Sequence, residues 1–168
     1  MMLEIAIDAD EDWDSSRSLD ELVRSAAEAA IAESAYPGLA TSPRTVELSV
    51  KLTGDEQVRA LNSKWRGKNK PTNVLSFPMV DSDEFKSANV VGPELLLGDI
   101  ILSRGVCEAE AAGKGVAVED HAAHLLVHGT LHLLGYDHHD DAEASEMEDR
   151  EVRALARLGI PNPYEVTA

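Results

Sequence analysis

The sequence predicts an α+β fold: a single domain over residues 1–168, with one mixed four-stranded sheet and about five helices. Two observations support this prediction. Segments with the two-residue alternation of strands and segments with helical periodicity follow one another along the chain, and helices close the sequence. The 168 residues are enough for one domain with its own core and few for two.

Four segments have the character of strands. Residues 3–7 alternate, and residues 46–52 do so cleanly, with apolar side chains at every second position. Residues 73–77 form a third strand that Pro78 closes. Residues 95–102 form a strongly apolar fourth strand, in which Gly98 indicates a bulge or a close approach of another backbone.

Helical periodicity predicts five helices, over residues 18–35, 55–66, 104–113, 118–134 and 141–158. The run Tyr36-Pro37-Gly38 ends the first of them. Asp140 and Glu143 are placed to cap the last one. Residues 81–93 are expected to form a mobile polar loop.

Composition points to a soluble cytoplasmic protein without a membrane segment. No apolar run is long enough to cross a bilayer, and the N-terminus lacks the basic start and apolar stretch of a signal peptide. The one cysteine, Cys107, cannot form an internal disulfide and suits a reducing compartment. We expect it to be a small buried side chain within a helix.

The charge distribution bears on nucleic-acid binding. A net charge of −16 disfavours a polyanionic partner, and residues 4–14 and 137–151 hold six and eight acidic side chains. Residues 51–70 carry the opposite charge, with Lys51, Arg59, Lys64, Arg66, Lys68 and Lys70 against Asp55 and Glu56. This basic segment could receive a phosphate, although on charge alone a solvated helix end is the simpler explanation.

The stretch from His128 to His138 has the spacing of a metal site. His128 and His132 are four residues apart, so on a helix they lie on one face, one turn apart. Gly135 can take the left-handed conformation that ends a helix, which lets His138 turn back towards them. Three neutral imidazoles leave one position of a tetrahedral Zn²⁺ open, as in catalytic sites. We therefore predict one zinc ion per chain on these three histidines.

The same spacing, H-E-x-x-H-x-x-G-x-x-H, occurs in the metzincin proteases, so residues 118–134 are predicted to form a zincin-like metal helix. The glutamate of that motif is the general base that activates water for peptide hydrolysis. Here Gly129 occupies its position. The sequence keeps the ligands and lacks the base, which argues against a peptidase.

The remaining histidines are weighed against this site. His139 is the rival of His138 as third ligand, and the spacing favours His138. His124 is expected to be a half-buried helix residue that could line the pocket, whereas His121 and His139 are expected to be exposed. Asp137 could orient a ligand, and Tyr136 is expected to pack rather than to react.

Three blocks of sequence resemble the YbeY family of rRNA maturation endoribonucleases. They are HGTLHLLGYDH at 128–138, LNSKWRGK at 61–68 with PTNVLSFP at 71–78, and LGDI at 97–100. With the tail up to Tyr164, the resemblance covers most of residues 45–164 in order. It does not explain the acidic opening or the segment 81–93.

The resemblance implies a zinc-dependent, single-strand-specific endoribonuclease that acts in 3′-end maturation of small-subunit (16S) rRNA and in ribosome quality control. It implies Arg66 as a functional residue beside His128, His132 and His138. Its implied partners are rRNA and the small ribosomal subunit, with ribosomal proteins as further candidates and neither DNA nor a membrane. Thr72, Asn73 and Ser76 are possible polar contacts, although strand and turn roles also account for them.

The expected chemistry is metal-assisted cleavage of a phosphodiester. Zinc would lower the pKa of a water molecule towards ~7 or act as a Lewis acid on a phosphate oxygen. The planar donors of Arg66 would stabilise charge that develops on the phosphoryl group. Attack by water and attack by the RNA 2′-hydroxyl both remain open.

Two alternatives remain open as well. The protein could be a ribosome-assembly factor in which zinc is mainly structural and the acidic surface contacts basic ribosomal proteins. Structural zinc normally has four protein ligands, and the sequence offers three. It could also be a metallohydrolase of another small substrate, a phosphoester or an amide, because the motif specifies the metal better than the substrate.

Overall fold

The computed structural model describes residues 2–10, 13, 19–80 and 94–164 of the chain. The predicted loop at 81–93 and residues 11, 12 and 14 of the acidic opening lie outside the described residues. Within them, the chain forms the predicted α+β fold, a mixed four-stranded sheet with five α-helices. The prediction of the fold class is therefore confirmed.

The sheet contains β1 (Met2–Ala9), β2 (Thr45–Thr53), β3 (Val74–Pro78) and β4 (Leu95–Ser103) in the order β1-β2-β4-β3. β1 and β4 run parallel to β2, and β3 runs antiparallel to β4 at the edge. Alternate side chains of β2 are buried, as the period of two predicts. The antiparallel edge strand β3 is the part of the sheet that lies nearest the functional site.

The helices are α1 (Leu19–Ala32), α2 (Asp55–Arg66), α3 (Arg104–Lys114), α4 (Val118–Leu133) and α5 (Asp141–Arg157), with a short 3-10 helix at Pro37–Thr41. Their bounds agree with the predictions to within a residue or so, except at α1. The hydroxyl of Ser34 bonds the carbonyl of Ile31 at 2.6 Å and accepts from the amide of Tyr36 at 3.0 Å. These local bonds replace the next helical turn, so α1 ends before residue 35.

Helices cover both faces of the sheet. The main core lies between the sheet and α1, α4 and α5, and Cys107 on α3 is buried within it, as predicted. On the opposite face, Val58 of α2 packs on Leu75 and Ile101 in a second, smaller cluster. Among the described residues, no helix is both long enough and apolar enough to cross a membrane.

Gly98 shapes the sheet next to α4. The register between β2 and β4 shifts at Glu47/Leu48, opposite this glycine, which has φ 140°. A Cβ atom here would lie 2.2 Å from the carbonyl oxygen of Phe77 and 2.9 Å from Leu133. The glycine thus marks both a bulge and a close backbone approach, and both possibilities raised by the sequence are correct.

Candidate metal centre and cleft

The three histidines of the predicted metal site converge at the C-terminal end of α4. His128 and His132 lie one turn apart, and Gly135 (φ 98°) turns the chain after the helix. One nitrogen from each of His128, His132 and His138 lies within 4.8 Å of the other two. The geometry is that of a three-ligand site, and α4 is the predicted zincin-like helix.

The hydrogen bonds of the two helical imidazoles fit a metal ion. Nδ1 of His128 bonds Oε1 of Glu151 at 3.2 Å, and Nδ1 of His132 bonds the carbonyl of Tyr136 at 2.9 Å. Because both acceptors require a proton on Nδ1, each Nε2 carries a lone pair, and these two atoms face each other at 3.0 Å. Two nitrogen lone pairs cannot hydrogen-bond to each other, but a metal ion between them would bind both. The residues present therefore fit a metal ion.

His138 and His139 differ in what they face. His138 joins the cluster, whereas Nε2 of His139 bonds Asp137 at 2.8 Å and its side chain is largely exposed. Asp137 also accepts from the amide of His138 at 2.8 Å, and its oxygen lies 3.7 Å from Nδ1 of His138. The structure therefore brings His138, and not His139, to the other two histidines, with Asp137 beside it.

Tyr136 packs, as expected, and holds the turn after α4. Its hydroxyl accepts from the amide of Ala35 at 2.8 Å, and the guanidinium of Arg150 lies 4.9 Å from its ring centroid. These contacts tie the turn to the segment that follows α1 and to α5. They fix the carbonyl to which His132 donates.

Glu151 is a buried partner of the site histidines that the sequence analysis did not single out. It lies on α5, is 1% exposed, and through Oε1 accepts from Nε2 of His124 (2.8 Å), Nδ1 of His128 and the hydroxyl of Tyr164 (2.9 Å). Burial would raise the pKa of this carboxyl group, but the bonds from His124 and His128 outweigh it and lower the pKa to about 2. The signal in the sequence that could have revealed Glu151 is an acidic residue on the apolar face of a predicted helix.

One expectation is wrong: His121 is buried, not exposed. It is 4% exposed, and its Nε2 bonds Oε1 of Glu110 at 2.8 Å. Burial lowers the pKa of His121, which favours the neutral ring. His124, expected to be half-buried, is 7% exposed and lines a cavity beside the metal centre. Both residues are more buried than expected because α3 and α5 cover their side of α4. The periodicity of the α4 sequence does not show which helices pack on that side.

An open cleft of about 580 Å³ contains the three histidines and Arg66. Its other walls come from β3 and the residues just before it, including Thr72, Asn73 and Ser76, and from the turn at Tyr136. Arg66 ends α2, where Gly67 takes the left-handed conformation (φ 68°). No ion pair to Arg66 occurs within the described part of the chain, so the cleft contains a cation that is available to an anion.

Gly129 packs against the sheet rather than facing the cleft. A Cβ atom at this position would lie 3.0 Å from Cγ2 of Ile100. A glutamate here would have to push into the core between α4 and β4. The position that holds the general base in the protease motif is therefore a packing position in this chain.

Comparison with known proteins extends over nearly the whole chain. The family model described as "Endoribonuclease YbeY" matches residues 7–159. The "Endoribonuclease YbeY" of Rhizorhabdus wittichii is 50% identical over 167 residues, which cover 99% of both chains. That of Zymomonas mobilis is 46% identical over 164 residues, 97% of this chain and 93% of the relative. The solution structure of TM1509 from Thermotoga maritima shares the fold, with a TM-score of 0.56, 20% identity, and coverage of 98% of this chain and 97% of that one.

Proposed function

The chain belongs to the endoribonuclease YbeY family, and on that basis we propose that it is a zinc-dependent endoribonuclease that cleaves single-stranded RNA. The observation that carries this proposal is the cleft itself. It combines a candidate three-histidine metal site with an arginine that forms no ion pair among the described residues and with the edge strand β3, along which a chain can lie. The names of the relatives supply the reaction, and the geometry supports it.

His128, His132 and His138 would hold the metal. Glu151 keeps the proton on Nδ1 of His128, and the carbonyl of Tyr136 does so for His132, so both rings present Nε2 to the cleft. When bound, zinc would supply Lewis acidity to a phosphate oxygen or to an attacking hydroxyl. In this proposal Arg66 is a catalytic residue that binds the scissile phosphate and stabilises the charge that develops on it.

We further propose that the substrate is rRNA, at the 3′ end of the 16S species of the small ribosomal subunit, in the cytoplasm. The net charge of −16 opposes binding of free RNA except near the basic segment. Basic ribosomal proteins next to the substrate would offset that repulsion. A role in ribosome quality control would follow from the same activity on defective subunits.

The test measures metal content and RNA cleavage in parallel. The native protein should contain one zinc ion per chain and cut single-stranded rRNA fragments in preference to double-stranded ones. His128→Ala should lose both metal and cleavage. Arg66→Ala should keep the metal and lose cleavage by ~10²–10³-fold, the effect of removing a donor to a developing charge.

Two matched controls separate these effects from surface changes. His139→Ala removes an exposed neighbouring imidazole, and Lys68→Ala removes an exposed cation of the basic segment. Both should keep zinc, and His139→Ala should keep full cleavage. Cleavage that persists in His128→Ala would belong to a contaminant. Native protein with zinc and no cleavage would favour the ribosome-assembly alternative.

A further inference from the structure

A second cavity of about 380 Å³ adjoins the candidate metal centre, and Arg66 does not line it. It shares Asn73, Val74 and His128 with the larger cleft. The metal site therefore lies where two cavities meet. Cavities that hold small organic ligands begin at about 300 Å³, so this one has the size of a site rather than of a packing gap.

The polar wall of this second cavity is an ordered hydrogen-bond network. Glu110 of α3 accepts from Nε2 of His121 at 2.8 Å and from the amide nitrogen of Asn73 at 3.0 Å. Burial would raise the pKa of Glu110, but these two donors lower it, so the carboxylate is ionised. An ionised carboxylate accepts hydrogen bonds at about four positions. With two donors in place, Glu110 retains capacity for a donor from a ligand.

The rest of the cavity has the mixed chemistry that a nucleoside needs. Val74 and Leu125 provide apolar surface, and the ring of Tyr164 stands at 89° to that of His124 at a centroid distance of 5.4 Å. Lys114, the last residue of α3, is exposed at the cavity and supplies a cation. The cavity thus offers a carboxylate that can accept a hydrogen bond from a hydroxyl group, apolar and aromatic walls, and a cation that can pair with a phosphate.

We propose that this second cavity binds the ribonucleoside next to the scissile phosphate, an inference that rests on the proposed function. Glu110 accepts a hydrogen bond from a ribose hydroxyl, and Lys114 pairs with the following phosphate. An endonuclease holds chain on both sides of the bond that it cuts. The cleft with Arg66 receives one side, and the second cavity receives the other. A ribose acceptor at this position distinguishes RNA from DNA.

Gly113 offers a way to fill the cavity without touching the metal centre. It lies in α3, lines the cavity, and a Cβ atom there would meet no heavy atom within 4 Å. Gly113→Phe should therefore occupy the cavity without strain in the helix. Ala112→Phe is the matched control, because Ala112 is an exposed neighbour on the same helix that does not line this cavity.

The experiment measures binding of phosphorothioate 12-nucleotide RNA and DNA of one sequence, by fluorescence anisotropy, to the zinc-loaded proteins. The native protein should bind RNA about tenfold more tightly than DNA, the ratio that ~1.4 kcal/mol gives. Gly113→Phe should lose most of that preference, whereas Ala112→Phe should keep it. Glu110→Gln should also narrow that preference, because an amide oxygen is a weaker acceptor than a carboxylate, and the loss of a negative charge should not weaken binding of DNA.

The outcomes separate this proposal from the proposed function. Equal RNA preference in the native protein and in Gly113→Phe would overturn the nucleoside site, even if RNA is cleaved. Loss of preference in Gly113→Phe would support the site, even if the native protein cleaves nothing. A native protein that binds RNA and DNA equally would overturn the ribose contact, and one that binds neither would overturn both proposals.

Discussion

At the scale of single residues, Glu151 connects histidines on successive turns of α4 at the candidate metal centre. Its Oε1 receives bonds from two helical turns of α4 and from Tyr164 near the end of the described chain. A carboxylate that holds a ligating imidazole fixes the ring and its protonated nitrogen, and loss of such partners typically lowers metal affinity 10- to 100-fold. Glu151 is thus a positioning residue for the proposed metal site.

Changing Glu151 to Gln should therefore weaken zinc binding by ~10–100-fold. The amide keeps the shape of the side chain but lacks the charge that retains the proton on Nδ1 of His128. Competition with a chromophoric chelator measures the affinity. Asp149→Asn, an exposed acid on the same helix, is the control and should bind zinc as the native protein does. Equal affinities in all three proteins would contradict the role given to Glu151.

Residues of the site differ in how far the sequence predicts them. The histidines at 128 and 132 follow from helical spacing alone, and His138 from a glycine turn. Glu151 could not be found in this way, because it is separated from His128 by 23 residues and meets it through helix packing. The burial of His121 has the same origin, since Glu110 lies on another helix.

At the scale of elements, periodicity predicts the strands and helices well but not their neighbours. The alternation in β2 shows which side chains are buried. It contains no information on which strands lie beside β2, so the order β1-β2-β4-β3 could not be derived from it. Element ends were wrong where local side-chain bonds compete with the helix, as Ser34 does at the end of α1.

The start of α3 depends on a side chain from another element. Oδ1 of Asp55, the first residue of α2, accepts from the amide of Val106 at 3.1 Å and from the hydroxyl of Ser103. Since a cap of this kind is worth about 0.5–2 kcal/mol, Asp55→Ala should lower the free energy of unfolding by about 1–2 kcal/mol.

Urea denaturation of the metal-free proteins measures this change. Glu56→Ala removes the next acid along α2, which is exposed and pairs with Arg59. It should shift the midpoint by much less. If both variants unfold at the same urea concentration, Asp55 does not cap α3 in the way described.

At the scale of the whole molecule, the basic segment and an exposed tryptophan occur together next to Arg66. The basic segment interrupts an acidic chain, and the exposed Trp65 lies in it, with Nζ of Lys64 5.1 Å from the ring centroid. Exposed aromatic rings beside cations are where bases of single-stranded RNA stack. The basic segment thus has the properties of a surface that guides RNA into the cleft.

The two tryptophans allow a direct test of this surface. Trp65 is 62% exposed, whereas Trp13 is 2% exposed and donates to the carbonyl of Thr53 at 2.8 Å. Adding a single-stranded oligoribonucleotide should quench the fluorescence of Trp65 and leave that of Trp13 unchanged. The quenching should weaken with salt and disappear in Trp65→Phe. Quenching that persists in Trp65→Phe would place the RNA elsewhere.

At Gly98, the space between β4 and its neighbours β3 and α4 is too small for the methyl group of an alanine. Leu133, which a Cβ atom at residue 98 would meet at 2.9 Å, directly follows His132. Alanine at 98 would have to displace the carbonyl of Phe77 on β3, which its Cβ atom would meet at 2.2 Å, whereas the end of the Leu133 side chain could turn aside. Because Ser76 and Pro78 of β3 also line the cleft, the position of that wall of the cleft depends on the absence of a side chain at residue 98.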